Sequence, residues 1–316
     1  MIGMLQNLPV DEEYLHQCLR EMLAIPGPTG FTDEIVRYIC RALEDLGVHY
    51  TLGRRGTIKV VVPGRDNTQA RAIANHIDTI GAAVSAIKPS GRLALVPVGS
   101  WSSRFAEGGR VTIFSGTASY RGQVLPLLAS GHAFNEQIDQ LPVGWPQVEV
   151  RINQPVACAE DTRALGIGPG DVVAFDTDME WDASGYITAR HLDNKAGAAA
   201  NLAALKALLD HNVEPAVELQ IMFTVTEEVG TGGPFDRLLT RKLRNLCREY
   251  DIQCQTDVFR YYYSDANSAI IAGHDVRHAL VTFGTDATHG YERTHRDSLC
   301  SVARLLLLYA QAPLLA

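Results

Sequence analysis

Two adjacent acids, Glu227 and Glu228, end an apolar run, Ile221-Met222-Phe223-Thr224-Val225, that reads as a buried strand. Ionised carboxylates at such a place are costly unless a cation stands near them. The pair therefore points to a metal centre. One glutamate ligates, and its neighbour takes a proton from a metal-bound water, whose pKa zinc lowers to about 7. A solvated turn is the ordinary alternative, and the buried strand before it weighs against that. A second apolar strand, Ala72-Ile73-Ala74, runs into Asn75-His76-Ile77-Asp78. Residues two apart on an extended segment share a face. Asp78 can then hold one ring nitrogen of a His76 that binds metal through the other; a satisfied strand-end histidine accounts for the same residues. Asp193 stands where a loop enters a helix of small residues. Helix capping is its ordinary role there, and a carboxylate in that position can also bridge two cations. The segment Thr288–His295 offers His295 as a ligand and Arg293 to hold a substrate carboxylate or amide oxygen, with His289 as a weaker, supporting candidate. All four segments sit at strand-to-loop junctions, where open α/β sheets place their ligand sites.

The elements that must position these residues alternate helix and strand. Asp11–Leu23 reads as an amphipathic helix and Thr32 to about Leu46 as a second, stopped by Gly47, with a rigid turn at Ile25–Gly30 between them. Strands are expected at Thr57–Val62 and Ala70–Asn75, the latter as a buried central strand. From about Ala82 to Asp182 the chain is rich in Gly, Pro, Val and Ser. Its short β-like runs, Arg110–Ser115, Gln147–Ile152 and Asp171–Phe175, predict a small barrel or sandwich. Beyond Tyr186 the spacing predicts helices over Asn194–Leu209, Phe235–Tyr250 and Asp297–Tyr309, and strands over Ala216–Val225, near Asp257–Tyr262 and over Ala279–Phe283. The fold class expected is α/β: a mixed central sheet with flanking helices, interrupted by a β-rich barrel. Residues 1–81 and 183–316 form the catalytic domain in this reading, and 82–182 the insert.

Composition narrows the function. The chain has 316 residues, 46% of them hydrophobic, enough for a large core. A net charge of −8 without basic runs argues against nucleic acid. Six scattered cysteines with no CxxC pair read as reduced thiols. The first residues lack the pattern of a signal peptide, and no apolar run is long enough to span a bilayer. A cytoplasmic protein without a membrane partner is expected.

Taken together, Ile25–Gly30, His76-Ile77-Asp78-Thr79-Ile80-Gly81, Leu192–Gly197, Glu227-Glu228-Val229-Gly230, Ser264-Asp265-Ala266 and Arg293-Thr294-His295 make the chain resemble metallopeptidase family 42 over nearly its whole length. These are glutamyl-aminopeptidase-like enzymes that assemble into tetrahedral particles. The resemblance implies a zinc-peptidase-like fold, a dizinc or dicobalt aminopeptidase and a β-rich insert that builds a homo-oligomer. It assigns His76 to the first metal and Asp193 as the bridge. Glu228 and His295 would hold the second metal, Glu227 would be the base, Asp78 would orient His76, and Asp265 would line the pocket wall. Tyr261–Ala269 and His289–His295 look most like the branch accompanying synthesis of the osmoprotectant N-acetylglutaminylglutamine amide. One departure matters: a family segment carrying a further metal-binding aspartate has no counterpart near 231–234. The expectation is therefore one tight divalent site, most readily zinc, with cobalt or manganese as substitutes, and a second site of doubtful strength. The substrate expected is a short peptide or peptide-like amide. A catalytically impaired oligomeric binding protein, or a deacetylase or amidohydrolase on the same scaffold, remains the alternative.

Overall fold

The computed structural model describes residues 5, 7–116, 118–229, 236–255, 264–272 and 276–314. Helix α1 (Glu12–Leu23) starts where the Asp11 carboxylate accepts from Tyr14 N–H at 3.0 Å, the usual N-cap bond. It buries Leu15, Leu19 and Met22. Helix α2 (Asp33–Asp45) buries Ile35, Ile39 and Leu43 and ends before Gly47, which takes the left-handed φ of +69° that terminates helices. Strands β1 (Tyr50–Leu52), β2 (Ile58–Val62) and β3 (Asp66–His76) follow.

The next six strands are β4 (Gly81–Ile87), β5 (Leu93–Val98), β6 (Arg110–Phe114), β7 (Ser119–Pro126), β8 (Val148–Ile152) and β9 (Val172–Phe175), with short helices α3 (Gly131–Phe134) and α4 (Ala159–Ala164) between them. They close into a barrel in the order β4-β5-β8-β7-β6-β9. Alternation along each strand turns Val84, Leu93, Leu95, Val111, Ile113 and Val173 inward to form a core separate from that of the main sheet. Of the two expected forms, barrel or sandwich, the chain adopts the barrel.

After the barrel come β10 (Glu180–Trp181), β11 (Tyr186–Ala189), α5 (Leu192–Asp210), β12 (Val217–Thr224), α6 (Arg237–Glu249), α7 (Asp265–Ile271), β13 (Thr285–Asp286), β14 (Glu292–His295) and α8 (Arg296–Gln311). Among the described residues the main sheet runs β1-β2-β12-β3. Strand β12 is antiparallel to β2 and parallel to β3, so the sheet is mixed, as expected. Strands β10-β11-β14-β13 form a second, antiparallel sheet. The alanine-rich α5 is buried nearly throughout, packed with α1 and α8. Its small side chains let neighbouring backbones close in.

Two expectations need correction. Strand β3 is not a buried central strand: among the described residues it lies at the sheet edge, and Thr68, Gln69, Ala70 and Ala72 are exposed. Residues Ala279–Phe283 form no strand, since among the described residues they gain no ladder partner before β13. The strand expected near Asp257–Tyr262 lies outside the described residues.

Candidate active site

Parallel pairing sets the site. The register aligns Thr224 of β12 with His76 of β3, so both strands deliver their polar C-terminal ends to one place. Asp78, fully buried, ties the surrounding loops together. Its carboxylate accepts from Thr29 Oγ1 at 2.6 Å and from the N–H groups of Glu227 and Glu228 at 3.3 and 3.4 Å. The main-chain carbonyl of Asp78 accepts from His76 Nδ1 at 3.0 Å, while its carboxylate stands 3.5 Å from that nitrogen. Orientation of His76 thus comes chiefly from the backbone of Asp78.

Asp193 enters from the start of α5, after His191 in a left-handed conformation (φ 68°) and before a cis peptide to Asn194. One of its oxygens lies 3.1 Å from His76 Nε2, the other 3.8 Å from His289 Nε2. His289 Nε2 also stands 3.5 Å from Glu228 Oε2, and His76 Nε2 stands 3.7 Å from Glu227 Oε2. Both imidazoles turn Nδ1 to a main-chain carbonyl, that of Asp78 and, at 3.1 Å, that of Ser100. The two Nε2 atoms therefore face the carboxylates. Beneath them, buried Glu292 accepts from the N–H groups of Asp193 and His289, each at 3.1 Å.

The electrostatics follow from burying so many acids. Burial pushes the Glu227 carboxyl up to about 7, with Asp193, Asp265 and Asp78 adding to it against the opposing charge of His76. Burial likewise raises Glu228 well above the carboxylate range, and Glu292 to about 8, there reinforced by Asp193. For His76 burial disfavours the imidazolium, yet Asp193, Asp78 and Glu227 together hold its pKa well above the histidine range. Burial also pushes Asp193 up, but the His76 hydrogen bond and charge keep it below its ordinary value. The cluster calls for positive charge.

The structure brings together His76, Asp78, Asp193, Glu227, Glu228 and His289. Asp265 heads α7 at the edge, receiving a bond from Thr224 Oγ1. His295 and Arg293 are placed elsewhere. His295 Nε2 lies 2.9 Å from Ser184 O, and its Nδ1 accepts from Asp297 N at 3.2 Å. Arg293 is exposed and holds Asp286 at 2.6 Å. The cause is the two-residue period of β14: Glu292 and Thr294 face the buried side, Arg293 and His295 the other. Sequence reasoning missed Glu292 and Thr29. The alternation around Glu292 was the available signal for the first; nothing local marked the second.

Among the described residues no group of three or more His, Cys, Asp or Glu side chains stands at metal-holding distances. The chemistry of the donors nevertheless fits a divalent ion. Two ligand atoms about 2.1 Å from a tetrahedral zinc stand about 3.4 Å apart, close to the 3.5 and 3.8 Å separating His289 Nε2 from Glu228 and Asp193. The other Glu228 oxygen is buried without a hydrogen-bond partner, a cost that a cation removes.

The family model for M42 glutamyl aminopeptidase matches residues 56–234 and 232–305, two stretches that meet at Gly232-Gly233-Pro234. The chain is 31% identical over 338 aligned positions to "Putative aminopeptidase YhfE" of Bacillus subtilis (strain 168), covering 94% of this chain and 97% of that one. That alignment is longer than the 316 residues here. Among solved structures, the TET aminopeptidase from the marine sediment archaeon Thaumarchaeota archaeon SCGC AB-539-E09 superposes with a TM-score of 0.84 at 17% identity, over 95% of this chain and 96% of that one. Pyrococcus horikoshii TET1 peptidase, described as assembling into a tetrahedron or a large octahedral shell, gives 0.81 at 20% identity, over 94% and 99%.

Proposed function

The chain belongs to the M42 glutamyl aminopeptidase family, hydrolases by class, and from that premise we propose that it cleaves an amide bond in short peptides or peptide-like amides. The groups that would hold a divalent cation are Asp193, Glu228 and His289, with Glu227 as general base. The observation that carries this reading is the arrangement around Asp193: its two oxygens face two imidazole Nε2 atoms, beside a Glu228 oxygen that has no partner. A bound ion supplies Lewis acidity to the scissile carbonyl and acidifies water there. Two carboxylates and an imidazole suit zinc, with cobalt or manganese as substitutes. With Glu227 given to the base, His76 has among the described residues only the shared Asp193 to offer a second ion beside it, so one ion binds tightly.

Glu227, held near 7 by burial, can accept a proton from the attacking water and return it to the leaving amine at neutral pH. Asp78 fixes the turn through the N–H groups of both glutamates, which keeps their roles distinct: Glu228 toward His289, Glu227 toward His76. We place the catalytic domain at 1–81 and 183–316. The insert, 82–182, is the part through which copies of the chain assemble, as the self-contained barrel core and the assembling TET1 relative support. Six cysteines without a disulfide support a reducing, cytoplasmic setting.

The test is a screen of the purified protein, chelated and metal-replete, against aminoacyl amides and N-acetylated dipeptide amides; the osmoprotectant resemblance motivates the latter. Amine release by the metal-replete protein alone supports the reading. Acetate release without amine would move it to deacetylation, and inertness on every substrate would overturn it.

A further inference from the structure

The barrel reaches the site through the segment from Gly99 to Phe105, between β5 and β6. Ser100 O is the acceptor for His289 Nδ1, across 189 residues of sequence. His76 donates its equivalent bond to a residue two positions away; His289 depends on the insert. The segment is pinned at several points. Gly99 adopts φ +86°, and a Cβ there would meet Ile80 Cγ2 at 2.8 Å and Glu228 Cβ at 3.5 Å, so glycine allows the backbone to approach the glutamate turn. The Trp101 indole N–H donates to Gly81 O at 3.0 Å, and the Trp145 indole donates to Trp101 O at 3.2 Å. Trp101 also meets the rings of Trp145 and Phe175 edge-on, with centroids 4.8 and 4.9 Å away. At the far end, Phe105 lies so close to Gly290 that a Cβ there would be 3.0 Å from its ring.

We propose that Gly99–Phe105 is a positioning clamp for His289, through which the barrel sets the aim of the His289 Nε2 and hence the affinity of the site for its cation. This rests on the reading of His289 as a cation-holding residue. The physical basis is ordinary: the loop carrying His289 has φ +66° at that residue and its ring is partly open to solvent. An N–H to carbonyl bond at Nδ1 fixes both tautomer and ring direction, leaving the Nε2 lone pair for the ion. Trp101 and Phe105 act through Ser100 and Gly290; they touch no reacting atom.

The experiment measures zinc affinity by chelator competition, and the visible spectrum of the cobalt-loaded protein, for full-length variants. Trp101→Phe, which keeps a ring but loses the N–H, and Gly99→Ala should each lower zinc affinity about tenfold and alter the cobalt band intensity. Tyr120→Phe, which removes a barrel hydrogen bond to Leu165 O outside the segment, should change neither. Parent-like affinity in both Trp101→Phe and Gly99→Ala overturns the clamp, as does an equal loss in Tyr120→Phe. His289→Ala separates the two readings. If that variant binds zinc like the parent, the assignment of His289 itself is wrong; if it loses binding while the segment variants do not, only the clamp is.

Discussion

His289 and His295 sit six positions apart and stand in different surroundings. His295 accepts from Asp297 N at the start of α8, a capping contact worth about 1 kcal/mol. His289 faces Asp193 and Glu228. Replacing His289 by Ala should weaken zinc binding more than about a hundredfold, beyond the usual loss of an outer partner, whereas His295→Ala should bind zinc within twofold of the parent and lose only thermal stability. Chelator competition and melting curves on the two variants check this, and the reverse ranking would restore the reading that the sequence resemblance favoured. Glu227→Gln should lower turnover by at least about 10²-fold with zinc content unchanged by elemental analysis; loss of zinc would show that the two glutamates have been given each other's roles. The acidic pair and His76 were legible because each ends an apolar strand. Which histidine faces the carboxylates was not, because it depends on which face of β14 is buried, and Glu292 on that face meets a remote partner, Asp193 on α5.

At the scale of elements, the helices α1, α2, α5, α6 and α8 were readable from periodicity and end signals to within a few residues. Strand β3 was readable as a strand, but its place in the sheet was not, because its run of small and apolar residues gives no clue to sheet position. The β-rich, barrel character of the insert was readable; which strands meet to close it was not, since that depends on β4 pairing with the distant β9. The barrel carries its own electrostatic test. Burial pushes the Glu149 carboxyl up, but Lys88 at 2.8 Å, with Arg92, brings it below the ordinary value. A depressed folded pKa means stability that is present above the unfolded value and is lost as pH falls through the folded one. Glu149→Gln should therefore cost roughly 1–2 kcal/mol near neutral pH, both cations being partly exposed. The difference from the parent should shrink as the pH falls below about 4. Denaturant melts across that range check it, and a pH-independent difference would assign the effect to packing instead.

At the scale of the whole molecule, the long-range shape was legible because an α/β pattern resumes after the insert with its strand-end polar residues intact. The meeting of the two family-model stretches at Gly232-Gly233-Pro234 matches the place where the sequence passes from the glutamate turn straight toward α6. The insert proposed to build the assembly exposes two large apolar residues, Val96 and Val143. Val96→Arg with Val143→Arg should shift sedimentation toward smaller species without unfolding the barrel, and an unchanged particle would place assembly elsewhere. On the function proposed above, the chain is a metal-dependent aminopeptidase-type hydrolase whose activity needs one ion, held by Asp193, Glu228 and His289. The most direct measurement is amine release from an aminoacyl amide as zinc is titrated into chelator-stripped protein. No turnover is expected at the start, followed by a rise that saturates at one equivalent per chain. Turnover in the stripped protein, or a rise that begins only with the second equivalent, would contradict it.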